Sequence, residues 1–374
     1  DLVRKRWLDN AFYGTTFSLN YKNTTTDIII GGAANKYEGK HFGEVVWTQY
    51  YVPNSNKYYD NFGNKNDVNF YTKASQQIGK ITVFADLQYR MVFYQANSIK
   101  FNDVNDTFRF FNPKAGITYT LNPASSIYGY FGIANKEPRR DDYESGSVKP
   151  ERLQDYELGY KYKNKKTSLN INAFYMRYKN QLVATGALND VGSPVFENSG
   201  KSMRAGIEIE AALQLASKFV LQPNITLSTN KNNDFYFERN GVLTNLGNTN
   251  IAYSPNMVIG NALTYSPIKT LQISLLTKYV GEQYMGNIDA KKSILPDYTT
   301  SDLNINYEWK INKGIKSIVF SGLINNIFDR TYESNGYFYT YNDNWSGPGI
   351  STIEGVGFYP QAGINFLVGM NLKF

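Results

Sequence analysis

QAGINFLVGMNLKF, residues 361–374, closes the chain, and its reading decides the fold. Counting back from Phe374, one side holds Leu372, Met370, Val368, Phe366, Ile364 and Ala362. The other side holds Lys373, Asn371, Gly369, Leu367, Asn365 and Gly363. Side chains alternate across a strand with a period of two, so this segment has one apolar face and one mostly polar or small face. It also ends on an aromatic residue. What the apolar face touches is the question the rest of the chain must answer.

The same period runs through the sequence. In ITVFADLQYRM (81–91), Ile81, Val83, Ala85, Leu87, Tyr89 and Met91 share a face, while Thr82, Phe84, Asp86, Gln88 and Arg90 share the other. DYELGYKYK (155–163) sets Tyr156, Leu158, Tyr160 and Tyr162 against Asp155, Glu157, Gly159 and Lys161. RAGIEIEAAL (204–213) sets Ala205, Ile207, Ile209, Ala211 and Leu213 against Arg204, Gly206, Glu208 and Glu210. TFSLNYK, LQISLLTKY and DLNINYEW repeat the pattern, and no segment has the period of a helix.

Short and long connections alternate. Tight turns are expected near 22–25, 76–79, 121–124, 163–166, 214–217, 266–269 and 311–314. Long loops are expected near 34–65, 96–106, 134–150, 180–200, 229–253, 281–296 and 329–360. That makes about fifteen strands, with short turns on one rim and long loops on the other, which is the plan of a transmembrane antiparallel β-barrel. The apolar face then meets lipid and the polar face a lumen.

Composition agrees. The apolar fraction is 42%, and no apolar run is long enough for a membrane helix, a test that a barrel escapes. Aromatic residues make up 16%, with 31 Tyr and 23 Phe, as interfacial girdles require. There is no cysteine and a single histidine, His41, so thiolate metal sites are excluded and a His-based triad would have to use that one residue. The net charge is +7, but the basic residues are scattered, so no nucleic-acid partner is expected. The pair Glu208 and Glu210 has no nucleophile or base arranged around it, so no enzyme is expected.

Direction follows from the turns. The last strand comes after a long loop, so it runs inward and places the C-terminus in the periplasm. Counting back, residues 1–10 (DLVRKRWLDN) are expected to be the remnant of an extracellular loop. The whole chain, 1–374, then reads as the C-terminal part of one barrel, with further strands on a separate piece.

Three internal stretches carry a family resemblance. VKPERLQDYELGYKYKNKKTSLNINAFYMRYKNQLV (148–183), NSGKSMRAGIEIEAAL (198–213) and LINNIFDRTYESNGY (323–337) resemble segments of TonB-dependent outer-membrane receptors. The terminal strand resembles the signal read by the barrel-assembly machinery, carried here by Phe366, Val368, Met370, Leu372 and Phe374. The resemblance implies a 22-stranded barrel around an N-terminal plug that is pulled by an inner-membrane TonB complex. This chain would hold neither plug, nor TonB box, nor first strands. The segment around 325–337 looks closer to siderophore, haem and cobalamin receptors than to SusC-like glycan importers, which use a surface lipoprotein. The implied function is energy-coupled uptake of a scarce ligand, most simply a metal chelate. No resident cofactor is implied, and any metal would be cargo. A SusC-like importer with a lipoprotein lid, or a surface adhesin, are the alternatives.

Asp86, Arg90, Asp155, Glu157, Arg204, Glu208 and Glu210 are expected to face the lumen and the plug, or to line a hydrated wall. The first long loop, with His41, Trp47, Tyr50 and Tyr51, and the last, with Tyr337 and Trp345, are dense in aromatics. Such mouths suit a flat, partly apolar ligand, and the same rings would equally pack the loops onto their neighbours. NDNWSGPG (342–349) lacks the ligand spacing of a calcium loop, so no metal site is expected. NKNDVN (64–69) and NKNND (230–234) read as turn chemistry.

Overall fold

The computed structural model describes residues 1–50, 57–97, 103–145, 148–188 and 194–374. Its frame is one antiparallel sheet. The first strands are β1 (Leu2–Lys22), β2 (Thr26–Thr48), β3 (Lys57–Ile78), β4 (Ile81–Ala96) and β5 (Val104–Asn122). They continue as β6 (Ser125–Lys136), β7 (Glu151–Lys163), β8 (Thr167–Lys179), β9 (Lys201–Ala216) and β10 (Phe219–Asn233). The last are β11 (Met257–Ile268), β12 (Leu271–Val280), β13 (Tyr298–Lys313), β14 (Ile315–Asn325) and β15 (Asn365–Lys373). Each pairs with the next in chain order, and the two-residue strand Thr249–Asn250 adds to β10. The sheet therefore has the fifteen successive strands expected, joined as a meander.

Its two faces reverse the pattern of a water-soluble sheet. On β4, Leu87 is 45% exposed and Tyr89 42%, whereas Asp86, next to Leu87, is 3% exposed. On β7, Leu158 is 67% exposed, while Asp155 and Glu157 are half-buried. A large sheet that shows its aliphatic and aromatic side chains outward and covers its charges is built for a lipid solvent. The terminal strand obeys the same rule. Phe366, Val368, Met370 and Leu372 pair with Ile324, Gly322, Phe320 and Ile318 on β14 to form one apolar surface, and Phe374 follows it, 75% exposed.

Register carries the polar face across the sheet. Lys73, Asp86, Lys114, Gly132, Asp155, Met176, Arg204 and Asn230 pair in succession from β3 to β10. Within this row Asp86 lies 3.9 Å from Lys73 and 3.2 Å from Lys114. A slip of one residue anywhere would turn that row outward into hydrocarbon, so the pairing is strongly specified.

Several expected loops prove to be strand. Residues 2–10, read as a loop remnant, belong to β1, and most of 34–65 belongs to β2 and β3. These three strands have 21, 23 and 22 residues. At about 3.3 Å per residue they reach about 70 Å, far beyond an apolar band of about 25 Å. NKNDVN, read as a turn, lies inside β3, and most of NKNND lies at the end of β10. Asn, Lys and Gly tolerate a strand when both neighbours supply ladder hydrogen bonds, as β2 and β4 do here. The last long loop is itself a hairpin, Glu333–Asp343 against Ser351–Pro360. A second, short hairpin pairs Tyr236–Arg239 with Val242–Asn245.

In the intact barrel, Leu87→Arg places a cation on the lipid face mid-strand and is expected to cost about 2–4 kcal/mol. Gln88→Lys, one residue on, faces the polar side and is expected to change stability by less than about 1 kcal/mol. Denaturant unfolding in phospholipid vesicles reads both.

Candidate functional site

The polar features gather at the loop end of the sheet. Where β6 ends, the chain leaves the sheet and turns through a short 3-10 helix, Arg140–Ser145. Glu137, at the start of this segment, is buried and lies against β3 and β4. Arg90 Nη1 donates to Glu137 Oε2 at 2.8 Å, and Arg90 Nη2 donates to Asp67 Oδ2 at 2.6 Å. Lys65 donates to the second oxygen of Glu137. One guanidinium thus holds two carboxylates from different elements in fork geometry, which Arg performs and Lys cannot. Burial pushes the Glu137 carboxyl up, but the hydrogen bonds from Arg90 and Lys65 outweigh it and hold the group at about 2.

A cavity of 380 Å³ opens beside this cluster. Its walls include Tyr37, His41, Tyr94, Lys136, Arg139 and Arg140. Tyr37 Oη and His41 Nε2 are 3.3 Å apart. Arg140 donates to the carbonyls of Phe62 at 3.1 Å and Asn97 at 3.2 Å, which ties the segment to the rim. Arg139 and Lys136 remain exposed. The result is a cationic cleft with two phenols and an imidazole, suited to an oxygen-rich anion.

The last hairpin forms the other feature. Its inner face carries Phe338 and Val356, which pack with Met285, Leu295, Ile288 and Ala290. The same face carries Glu354, which accepts from Arg239 at 3.0 Å, and Thr352, which exchanges two hydrogen bonds with Asn240. The short hairpin Tyr236–Asn245 and the last hairpin are therefore locked together. A 690 Å³ cavity lies between them and the end of β9, lined by Lys201, Phe235, Leu243 and Tyr341 among others.

Residues 3–327 match the family described as TonB dependent receptor-like, beta-barrel. The chain belongs to that family. It is an outer-membrane β-barrel of the TonB-dependent receptor type, a family of transporters and not of enzymes. Among solved structures, it is similar to the ferric-catecholate import receptor Fiu of E. coli K12, at 13% identity and a TM-score of 0.67, covering 99% of this chain and 55% of Fiu. It is similar to the siderophore receptor PiuA of Acinetobacter baumannii, at 15% identity and a TM-score of 0.70, covering 98% and 56%. It is also similar to the copper transporter OprC, at 13% identity and a TM-score of 0.74, covering 99% and 57%. The chain spans about half the length of these receptors.

The residues singled out in the sequence fall into several groups. Asp86 and Arg90 are each in ion pairs on the polar face. Asp155 and Arg204 stand in the same row, with the Arg204 guanidinium 4.7 Å from the centre of the Tyr178 ring. Glu157, Glu208 and Glu210 lie on that face as well, the last two exposed. His41 lines the cationic cleft, whereas Trp47 and Tyr50 lie exposed near the tip of β2, outside its lining. Tyr51 lies outside the described residues. Tyr337 and Trp345 belong to one row of rings on the last hairpin.

Sequence reasoning missed Asp67 and Glu137. Asp67 was absorbed into an apparent turn, and Glu137 meets Arg90 across 47 positions of chain. The signal was Arg90 itself: a guanidinium on a covered face needs carboxylates.

Arg90→Ala is expected to cost about 3–5 kcal/mol locally, because it leaves two covered carboxylates without their main partner. Amide exchange across 137–145 reads the loss. In the unaltered receptor the folded carboxyl of Glu137 lies below its ordinary 4.5. Its contribution is therefore complete above about 4.5 and is lost as pH falls from there through about 2. Protection of the same segment is expected to follow that fall.

Proposed function

We propose that this chain is the C-terminal part of a receptor that imports a scarce anionic metal chelate across the outer membrane, driven by TonB. The cationic cleft carries the reading. Lys136, Arg139 and Arg140 supply positive charge, and Tyr37, Tyr94 and His41 supply ring faces and hydrogen-bonding groups. A ferric chelate with phenolate or carboxylate oxygens answers both features. The names of Fiu and PiuA are in keeping with that class of cargo.

On this reading the loop end faces outward and Phe374 sits at the periplasmic rim, where the assembly machinery reads the last strand. Among the described residues, β1 pairs only with β2 and β15 only with β14. An unpaired edge in hydrocarbon costs several kcal/mol per backbone group. The two edges are therefore joined through further strands of the same receptor. The polar row around Asp86, Asp155 and Arg204 then faces the plug. The chain does no bond chemistry, and transport follows from differential binding between plug and loop states.

The test is uptake by cells carrying the intact receptor, with ferric tris-catecholate and ferric citrate as probes. Energy-dependent uptake of at least one, abolished by a protonophore, is expected. Arg139→Gln with Lys136→Gln is expected to weaken chelate binding about tenfold, equal to about 1.4 kcal/mol. Uptake that survives the protonophore sinks the energy coupling, and unchanged affinity in the double variant sinks the cleft as the chelate's site.

A further inference from the structure

The outer face of the last hairpin has a construction that the cleft does not explain. Tyr337, Tyr339 and Tyr341 succeed one another on one face of the first strand, and Trp345 follows in the turn. Ring centroids step by 6.2, 6.4 and 6.3 Å, with interplanar angles of 19°, 16° and 8°. Tyr359 closes the row at 5.8 Å from Tyr337. Opposite Tyr337 and Tyr339 the second strand carries Gly357 and Gly355. A Cβ on Gly355 would lie 2.2 Å from the Tyr339 ring, and one on Gly357 would lie 2.4 Å from the Tyr337 ring. The glycines let the phenol rings lean across the ladder, where any side chain would hold them up. Since the inner face is fixed by Phe338 and the polar bonds to Arg239 and Asn240, the hairpin is a rigid plate presenting a narrow strip of parallel rings.

Charge decides what such a strip accepts. Residues 331–360 contain no Lys, Arg or His, and their charged residues are Glu333, Asp343 and Glu354. Glu354 is on the inner face, bound to Arg239. Asp343 and Glu333 stand at the two ends of the strip's strand. Carboxylates at both ends repel an anionic chelate, a phosphate-bearing lipid or a nucleic acid. A compact ligand would also leave most of a row one ring wide unused. A linear chain of neutral sugars matches instead. Each pyranose offers a face of C–H bonds to the negative face of a ring, the phenol hydroxyls accept from or donate to sugar hydroxyls, and the end carboxylates accept from them.

We propose that the strip from Tyr337 to Trp345, with Tyr359, binds a linear neutral polysaccharide at the cell surface, as a site separate from the cationic cleft. It holds the receptor on glycan and does not depend on which cargo the cleft takes.

The experiment uses the intact receptor in a detergent without a sugar headgroup. Maltohexaose and cellohexaose are titrated as probes, read by calorimetry and by the fluorescence difference between the unaltered protein and Trp345→Phe. Binding of at least one hexasaccharide is expected, together with protection of Trp345 from acrylamide quenching. Tyr339→Ala and Tyr341→Ala are each expected to weaken it about tenfold, while Tyr341→Phe stays within about threefold. Barrel integrity is checked by heat-modifiable migration. If an Ala variant fails to fold, the protection of Trp345 in the unaltered protein reads the same contact. Absence of hexasaccharide binding, absence of Trp345 protection, or affinity unchanged in the folded Ala variants overturns the proposal. Loss of ferric tris-catecholate binding in Tyr339→Ala would also overturn it, by assigning the strip to the chelate.

Discussion

In hydrocarbon a backbone N–H or C=O without a partner costs several kcal/mol, because no water is present to take its place. Every spanning segment must therefore find all its hydrogen bonds on its two neighbours. This is why the sheet is a meander: among the described residues each strand from β1 to β15 lies beside its successor and no crossover intervenes. Once pairing is complete, side chains have only two places to go. The odd-numbered residues of β4 meet lipid and the even-numbered ones meet the lumen, so Leu87 and Asp86 are neighbours in sequence with opposite solvents. The continuous row from Lys73 to Asn230 is the same constraint seen across the sheet.

Beyond the membrane the constraint relaxes, and the segments there use ordinary soluble-protein physics. The last hairpin is anchored by a small apolar cluster around Met285, Leu295 and Phe338, which is buried in the usual way. The segment after β6 is anchored by charge, with Arg90 reaching from the sheet to Glu137. These two anchors differ in kind. Burying a few apolar side chains is insensitive to pH, whereas the ion cluster weakens when Glu137 is protonated.

The strand period was legible throughout, because lipid on one side and water on the other enforce alternation more strictly than a soluble core does. The tight turns were legible too, since LNPA or NKKT between two alternating runs leaves the chain little else to do. The long connections were not. YEGKHFGEVVW alternates imperfectly and is rich in Gly and charge, so its pairing with β1 and β3 depends on those strands being present and not on its own propensity. The ion cluster was half legible. Arg90 stood out on a covered face, while its partners lie on other strands and no local spacing marks them. The ring row was visible as a run of tyrosines, but the glycines opposite acquire meaning only once the hairpin's register is known.

The rim of the receptor thus carries two surfaces of opposite character. The cleft by β2 and β4 gathers Lys136, Arg139 and Arg140 around phenols, and the plate formed by the last hairpin has rings without a single cation. Coulomb interactions at exposed sites fade over about 8 Å at physiological salt, so the two surfaces keep their own preferences even on one rim. An anion entering the cleft gains from charge-assisted hydrogen bonds and would gain nothing from the plate, where carboxylates stand at either end. A neutral, flat-faced chain gains on the plate and would have to displace water from three cations in the cleft. Selectivity between the two is built from charge placement alone, because both surfaces present the same tyrosine rings.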